Sequence, residues 1–182
     1  MIYEAKELIL KDGRTALLRS PTVEDAAALV EYLRITAEET PFLLRCPEES
    51  TMTVEQEEAY LRRSLEMTNQ VMILCEVEGR IAGNCNLSRK NKLKTRHRGE
   101  IGIALVREFW NLGIGTAMFE EMIKLASEWG ISQLELEVIE GNDRAIALYE
   151  KMGFTTVAAK PNAIRLHDGT LLKEYLMIRQ LQ

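Results

Sequence analysis

An apolar strand that runs into a two-glycine loop, which opens directly into an amphipathic helix, constrains this chain more than any other stretch of it. The residues are Ala104-Leu105-Val106-Arg107-Glu108-Phe109-Trp110-Asn111-Leu112-Gly113-Ile114-Gly115-Thr116. Such a junction brings unbonded backbone N–H groups and the positive end of a helix dipole to one place. It is suited to an anion, most often a phosphate. A nucleotide-like ligand is therefore the first expectation.

The remaining elements follow from hydrophobic spacing and turn residues. Leu8 to Arg19 reads as a hairpin turning at Asp12-Gly13. Thr22 takes an N-cap position with Asp25 three residues on, and the helix it starts buries Ala26, Leu29, Val30 and Leu33. A second helix begins after Thr53, with Gln56 completing its capping box, and buries Val54, Tyr60, Leu61 and Leu65. Val71 to Glu78 and Ile81 to Leu87 form an antiparallel pair, and the unbroken apolar run Met72-Ile73-Leu74-Cys75 is buried. Glu100 to Val106 is the next strand. Thr116 to Trp129 is a helix burying Ala117, Met118, Met122, Leu125, Ala126 and Trp129, with Gly130 as its C-terminal cap. Leu134 to Ile139 is a strand, Asn142 to Met152 a short helix, and Phe154 to Arg165 and Thr170 to Ile178 are strands joined at His167-Asp168-Gly169.

The crossover from Glu100 to Ile139 requires a parallel, right-handed pair, while the hairpins are antiparallel. The expected fold is α/β: a mixed central sheet of about seven strands with helices on both faces. No repeat, low-complexity tract or linker divides the chain, so residues 1–182 read as one domain.

Composition narrows the function classes. A net charge of −5 argues against non-specific nucleic-acid binding. No apolar run approaches the ~20 residues that span a bilayer, and the first residues lack a signal-peptide core. Cys46, Cys75 and Cys85 are odd in number and without CxxC spacing, which points to reduced thiols in a cytoplasm. His97 and His167 are too few and too isolated for a metal site.

Three phosphate-binding loops are separable by spacing. A P-loop needs GxxxxGK[ST], and nothing matches. A dinucleotide fingerprint needs GxGxxG, and Gly113-Ile114-Gly115 supplies half of it. Met118 stands where the third glycine belongs, although Glu135 and Glu137 lie at a plausible distance for a ribose. The third possibility is a GxG loop coupled to residues downstream. These are present in Asn142-Asp143-Arg144-Ala145-Ile146-Ala147-Leu148-Tyr149-Glu150-Lys151-Met152-Gly153-Phe154, where Asn142, Ile146 and Tyr149 fall on one helical stripe.

In the order strand, WNLGIGTA, helix, LELEV, N-x-x-A-x-x-LYEKMGF, the chain resembles the GNAT superfamily of N-acetyltransferases. The likeness is strongest from about Glu100 to Phe154, and within the superfamily to the bacterial branch that acetylates small amines, amino acids or protein N-termini. One departure is Trp110, where the family usually has glutamine or arginine.

The scarcity of ligand clusters argues against a metal, and the resemblance implies acetyl-CoA as co-substrate. Its contacts would come from Leu105, Val106, Trp110, Asn111, Leu112, Gly113, Ile114, Gly115, Thr116, Asn142, Ala145 and Tyr149. Backbone N–H groups from Leu112 to Thr116 would hold the diphosphate. Leu105 and Val106 would pair with the pantetheine arm as with another strand, provided the strands around Val106 and Val138 splay apart. A backbone N–H near Leu105 would polarise the thioester carbonyl. Tyr149 would serve the departing thiolate. A lysine-like amine (pKa about 10.4) is mostly protonated at neutral pH and an α-amine (about 8) partly so, which makes a general base useful. Glu137, twelve residues before Tyr149, is the first candidate and Glu100 the second.

The acceptor expected is a small-molecule amine, amino acid or polyamine-like. The alternatives are a protein N-terminus of the ribosomal-protein type or a non-catalytic acyl-CoA-binding domain. Dimerisation is common in this fold. Glu38, Glu39, Glu48 and Glu49 flank the segment that shapes the acceptor site, either attracting a cationic amine or simply charging helix ends. The basic connection holding Arg89, Lys90, Lys92, Lys94, Arg96 and Arg98 reads as a solvated loop or as a partner for phosphates.

Overall fold

The computed structural model describes residues 1–181. Strands β1 (Lys6–Ile9) and β2 (Thr15–Arg19) form the expected hairpin. Its turn is closed by Gly13 at φ +89° and by the Asp12 carboxylate accepting the Arg14 N–H at 3.1 Å. Helices α1 (Ala26–Glu39) and α2 (Val54–Glu66) follow. Then come β3 (Gln70–Val77), β4 (Arg80–Arg89), β5 (Arg98–Leu105), α3 (Ile114–Glu128), β6 (Gln133–Ile139), α4 (Asp143–Lys151), β7 (Thr155–Arg165) and β8 (Leu171–Gln180). The sheet has eight strands in the order β1-β2-β3-β4-β5-β6-β8-β7, against the expected seven, because the first hairpin joins it with both strands.

Local signals decide most of these boundaries. The Thr53–Gln56 capping box is formed in both directions, at 3.3 and 2.9 Å. At α1 the Asp25 carboxylate accepts the Thr22 N–H at 2.7 Å and is gripped by both Arg19 Nη atoms, so a short turn precedes the helix proper. Helix α3 starts at Ile114, two residues before the expected Thr116, because Gly113 at φ +96° makes the left-handed turn that admits it.

Helix α2 corrects the sequence reading. It buries Glu57, Leu61 and Ser64, while Val54 and Tyr60 are exposed. Val54 stands in the outermost turn, and Tyr60 is rotated by about 100° from Leu61. Helix α1 buries Tyr32, Thr36 and Ala37 as well as the expected Ala26 and Leu29.

One discontinuity positions the site. β5 and β6 pair in parallel only from Arg98–Glu100 to Gln133–Glu135. Beyond that, β5 stays with β4 as far as Leu105 opposite Gly83, and β6 stays with β8 as far as Ile139 opposite Glu174. The two half-sheets therefore splay into a V, as the expected pairing of the Leu105 strand with a pantetheine arm required.

Candidate active site

The V opens into a cleft of about 690 Å³, bounded by β4 and β5, by β6 and α4, and by the loop after α1. On the β5 side the backbone alternation decides which groups face it. The Val106 N–H donates to Ala82 of β4 at 3.0 Å and its carbonyl accepts from Phe109. Neighbouring residues of a strand point their backbone groups to opposite edges, so Leu105 and Ile103 turn theirs into the V. Val106 is thereby removed from the expected cofactor contacts, its side chain buried and both backbone groups engaged. Leu105 remains a cleft residue.

The glycine loop lies at the mouth of the V. Gly113 caps α3 with no side-chain hydrogen bond, and the first turn of that helix carries no acidic residue. Ile114, Gly115 and Thr116 occupy that first turn, where N–H groups have no intrahelical acceptor. A dry helix end of this kind would be unstable; one facing a cleft is a ready site for an anion. A Cβ on Gly115 would come within 2.9 Å of Leu148 Cδ2, so the loop packs onto α4 with no room to spare. Gly113, Gly115, Thr116, Asn111 and Trp110 line the cleft, whereas Ile114 is buried and Leu112 packs partly against the core, leaving those two their main chain.

Trp110 answers the question its position raised. Its indole N–H donates to the Leu105 carbonyl at 2.8 Å, tying the loop to the strand tip. Arg107 stands 5.3 Å and Arg144 2.9 Å from its ring centroid. Burial, and after it the like charge of Arg107, lowers the Arg144 guanidinium. Two cations on one ring are a setting that an anion would relieve.

On the other wall, Asn142 precedes α4 with its side chain making no cap bond, and it lines the cleft with Ala145, Leu148 and Tyr149. Tyr149 is buried against Phe119 and Phe154, at centroid distances of 5.3 and 6.4 Å. Burial pushes its phenol up to about 12, so the proton stays on. Glu137 stands exposed on β6 in the same cleft, with no ion pair among the described residues.

Glu100 is placed differently from the sequence expectation. It lies at the closed end of the V, paired with Lys90, and is not among the cleft residues. The reason is register: Glu100 is on the last rung that β5 shares with β6. The basic connection also stays outside, with Arg98 on Glu135 and Arg89 on the Trp129 carbonyl. The two glutamates that end α1 and the two on the loop after it are engaged elsewhere. Arg34 holds Glu38, Glu39 accepts the Arg107 N–H, Glu49 accepts the Cys46 N–H, and Glu48 lies 3.7 Å from His167.

Several cleft residues escaped the sequence reading. Lys11 lies beside Gly113, and its N–H donates to the Leu112 carbonyl. Tyr32 inserts its hydroxyl between β4 and β5, accepting from the Asn84 N–H at 3.2 Å and donating to the Ala104 carbonyl at 2.8 Å. Arg45, Asn86 and Glu174 also line the cleft. Asp12-Gly13 signalled the turn that carries Lys11; nothing local signals the others. His167 is less isolated than expected, since its ring meets Cys46 and Glu48 with ligand atoms within 4.8 Å of one another. No helix among the described residues is long and apolar enough to cross a membrane.

A mixed sheet split between two parallel strands, with an uncapped helix at the mouth of the split, defines the acyl-CoA N-acyltransferase fold. The model of the acetyltransferase (GNAT) family matches residues 32–154, and the chain belongs to that family. It is similar to an L-amino acid N-acetyltransferase of Escherichia coli K12, 26% identical over 109 residues, which are 59% of this chain and 66% of that protein. It is also similar to the E. coli K12 ribosomal protein bS18-alanine N-acetyltransferase, 36% identical over 67 residues, or 37% of this chain and 45% of that one. The crystal structure of a GNAT-family acetyltransferase from Streptococcus pneumoniae superposes with a TM-score of 0.85 at 30% identity, covering 91% of this chain and 99% of the other.

Proposed function

We propose that this protein is an acetyl-CoA-dependent N-acetyltransferase that moves an acetyl group directly to the primary amine of a small molecule. The observation that carries the reading is the split of β5 from β6 beside an uncapped α3. It offers a strand edge for an amide-rich arm and free N–H groups for a diphosphate.

Acetyl-CoA, when bound, supplies the activated acetyl thioester. In this reading the first-turn amides of α3, with Lys11 and Arg144, hold the phosphates. The Leu105 N–H, facing the V, polarises the thioester carbonyl and stabilises the oxyanion that develops there. Glu137, directly or through a water, takes the proton that the attacking amine must lose. Tyr149 donates a hydrogen bond to the leaving sulfur. A phenol at about 12 is a weaker acid than a thiol near 8.5, so hydrogen bonding, rather than complete proton transfer, is its main contribution. Asn142 orients the pantetheine arm through its uncommitted amide.

A protein N-terminus is the second reading, favoured by the likeness over 67 residues to the ribosomal protein alanine N-acetyltransferase. Titration calorimetry with acetyl-CoA, followed by a thiol-release assay over amines, amino acids and N-terminal peptides, separates the two. Binding without amine-dependent CoA release would instead indicate a non-catalytic acyl-CoA sensor.

A further inference from the structure

We infer that the acceptor carries a carboxylate beside its amine, and that Arg45 is the residue that receives it. The inference rests on the acyl-transfer reading of the cleft and names the substrate class for it.

Arg45 lies on the loop after α1 and lines the same cleft as Glu137 and Tyr149. It forms no ion pair among the described residues. One Nη donates to the Leu33 carbonyl at 3.4 Å, while its Nε–H is buried with no acceptor among the described residues. An unpaired buried donor on a guanidinium is a strong demand for an anion, and a carboxylate meets the planar fork in two parallel bonds. Arg144, the other cleft arginine, is stacked on Trp110 by the glycine loop. Glu57 of α2 lies within the field of Arg45, but it is buried and its carboxyl is pushed up by that burial. It makes no bond to the guanidinium.

The surroundings agree in sign. Glu38 and Glu39 at the end of α1 and Glu48 and Glu49 on the loop are turned to Arg34, Arg107, His167 and the Cys46 N–H, and none of them lines the cleft, so Arg45 is the charged residue that this segment presents to it. Phe42 of the same loop lies against Gly141, which precedes α4, so the loop reaches across to the β6 arm. That arm presents Glu137, which has no ion pair among the described residues, while Glu174, diagonal to it on β8, is paired with Lys160 at 3.5 Å. A cavity positive on one side and negative on the other matches a zwitterion. A polyamine would be repelled at Arg45, and a protein N-terminus has no α-carboxylate to offer.

The test compares each free L-amino acid with its carboxamide in the thiol-release assay, in the wild type and in Arg45→Gln. A site built around such a donor rejects the analogue lacking its partner. At least one free acid is expected to exceed its amide in kcat/KM by about 30-fold or more. In Arg45→Gln that preference collapses through a raised KM for the acid, with the amide changed by less than about threefold. Equal use of acid and amide by the wild type, or an equal loss on both in the variant, overturns the assignment. Calorimetry of the wild type with N-acetyl-amino acids against their amides needs no variant and no turnover. Selective binding of the acids without any amine-dependent CoA release would sink the transferase reading and keep Arg45's role. Turnover with indifferent binding would do the reverse.

Discussion

Burial holds the proton on Tyr149, and this makes the hydrogen bond proposed for it separable from the action proposed for Glu137. Tyr149→Phe is expected to lower kcat about tenfold or more with acetyl-CoA affinity, measured by calorimetry, nearly unchanged. Because its pKa is raised, the phenol stays neutral through the alkaline range. The kcat/KM profile should therefore rise as the acceptor amine deprotonates, without falling below about pH 10. A descending limb near pH 9 would contradict the role. Glu137→Gln should lower kcat/KM at neutral pH by about a hundredfold, with partial recovery at higher pH as more of the amine arrives unprotonated. Among the residues that line the cleft, those carried by contiguous motifs were legible: Gly113, Gly115, Asn142 and Tyr149 announce themselves by spacing. Lys11, Tyr32 and Arg45 did not, because each reaches the cleft from an element distant in sequence. Glu100 misled for the opposite reason. Its strand was correctly located, but the rung at which the strands part is a tertiary property.

At the scale of elements, two joints hold the cleft open in the right shape. Gly113 sits at φ +96°, a conformation costing a side-chain-bearing residue roughly 1–2 kcal/mol. Gly113→Ala should lower the thermal midpoint by a few degrees and weaken acetyl-CoA binding by more than the stability loss alone explains. Tyr32 is the second joint, its hydroxyl standing where a direct β4–β5 rung would be. Tyr32→Phe leaves a half-buried N–H and a carbonyl without their partner, which costs about 1 kcal/mol and is readable in urea unfolding. Element order was legible from periodicity and glycines throughout. The faces were less so. On α2 the apolar residues Val54 and Tyr60 are exposed while Glu57 is buried, because docking onto α1, rather than composition, selects the stripe that goes inside.

The whole molecule is fastened by a few arginine–carboxylate pairs that bridge distant segments. Arg19 joins Asp25 and Glu76, and Arg98 joins Glu135 across the parallel rungs. The Arg98 hydrogen bond holds Glu135 below the usual carboxylate range; at Asp25, burial opposes but Arg19 prevails, and that carboxyl is lowered too. Groups depressed in the folded state stabilise it above their unfolded pKa of about 4 and lose that contribution as pH falls through the folded value. The thermal midpoint should be flat from neutral pH to about 5 and drop below about 4. Glu135→Gln should blunt that drop.

The short parallel seam between β5 and β6 has one more consequence. With only the rungs from Arg98 to Glu100 joining them, the two half-sheets form a ladder whose upper steps are missing. In the proposed reaction the co-substrate's own amides complete those steps. Binding should then slow hydrogen exchange at Ile103 and Leu105 far more than at the β3–β4 hairpin, and raise the unfolding free energy by about 2.7 kcal/mol at a hundredfold excess over Kd. Product departure becomes an unzipping of backbone from backbone, so the rhythm of turnover would be set by how fast a borrowed strand peels away.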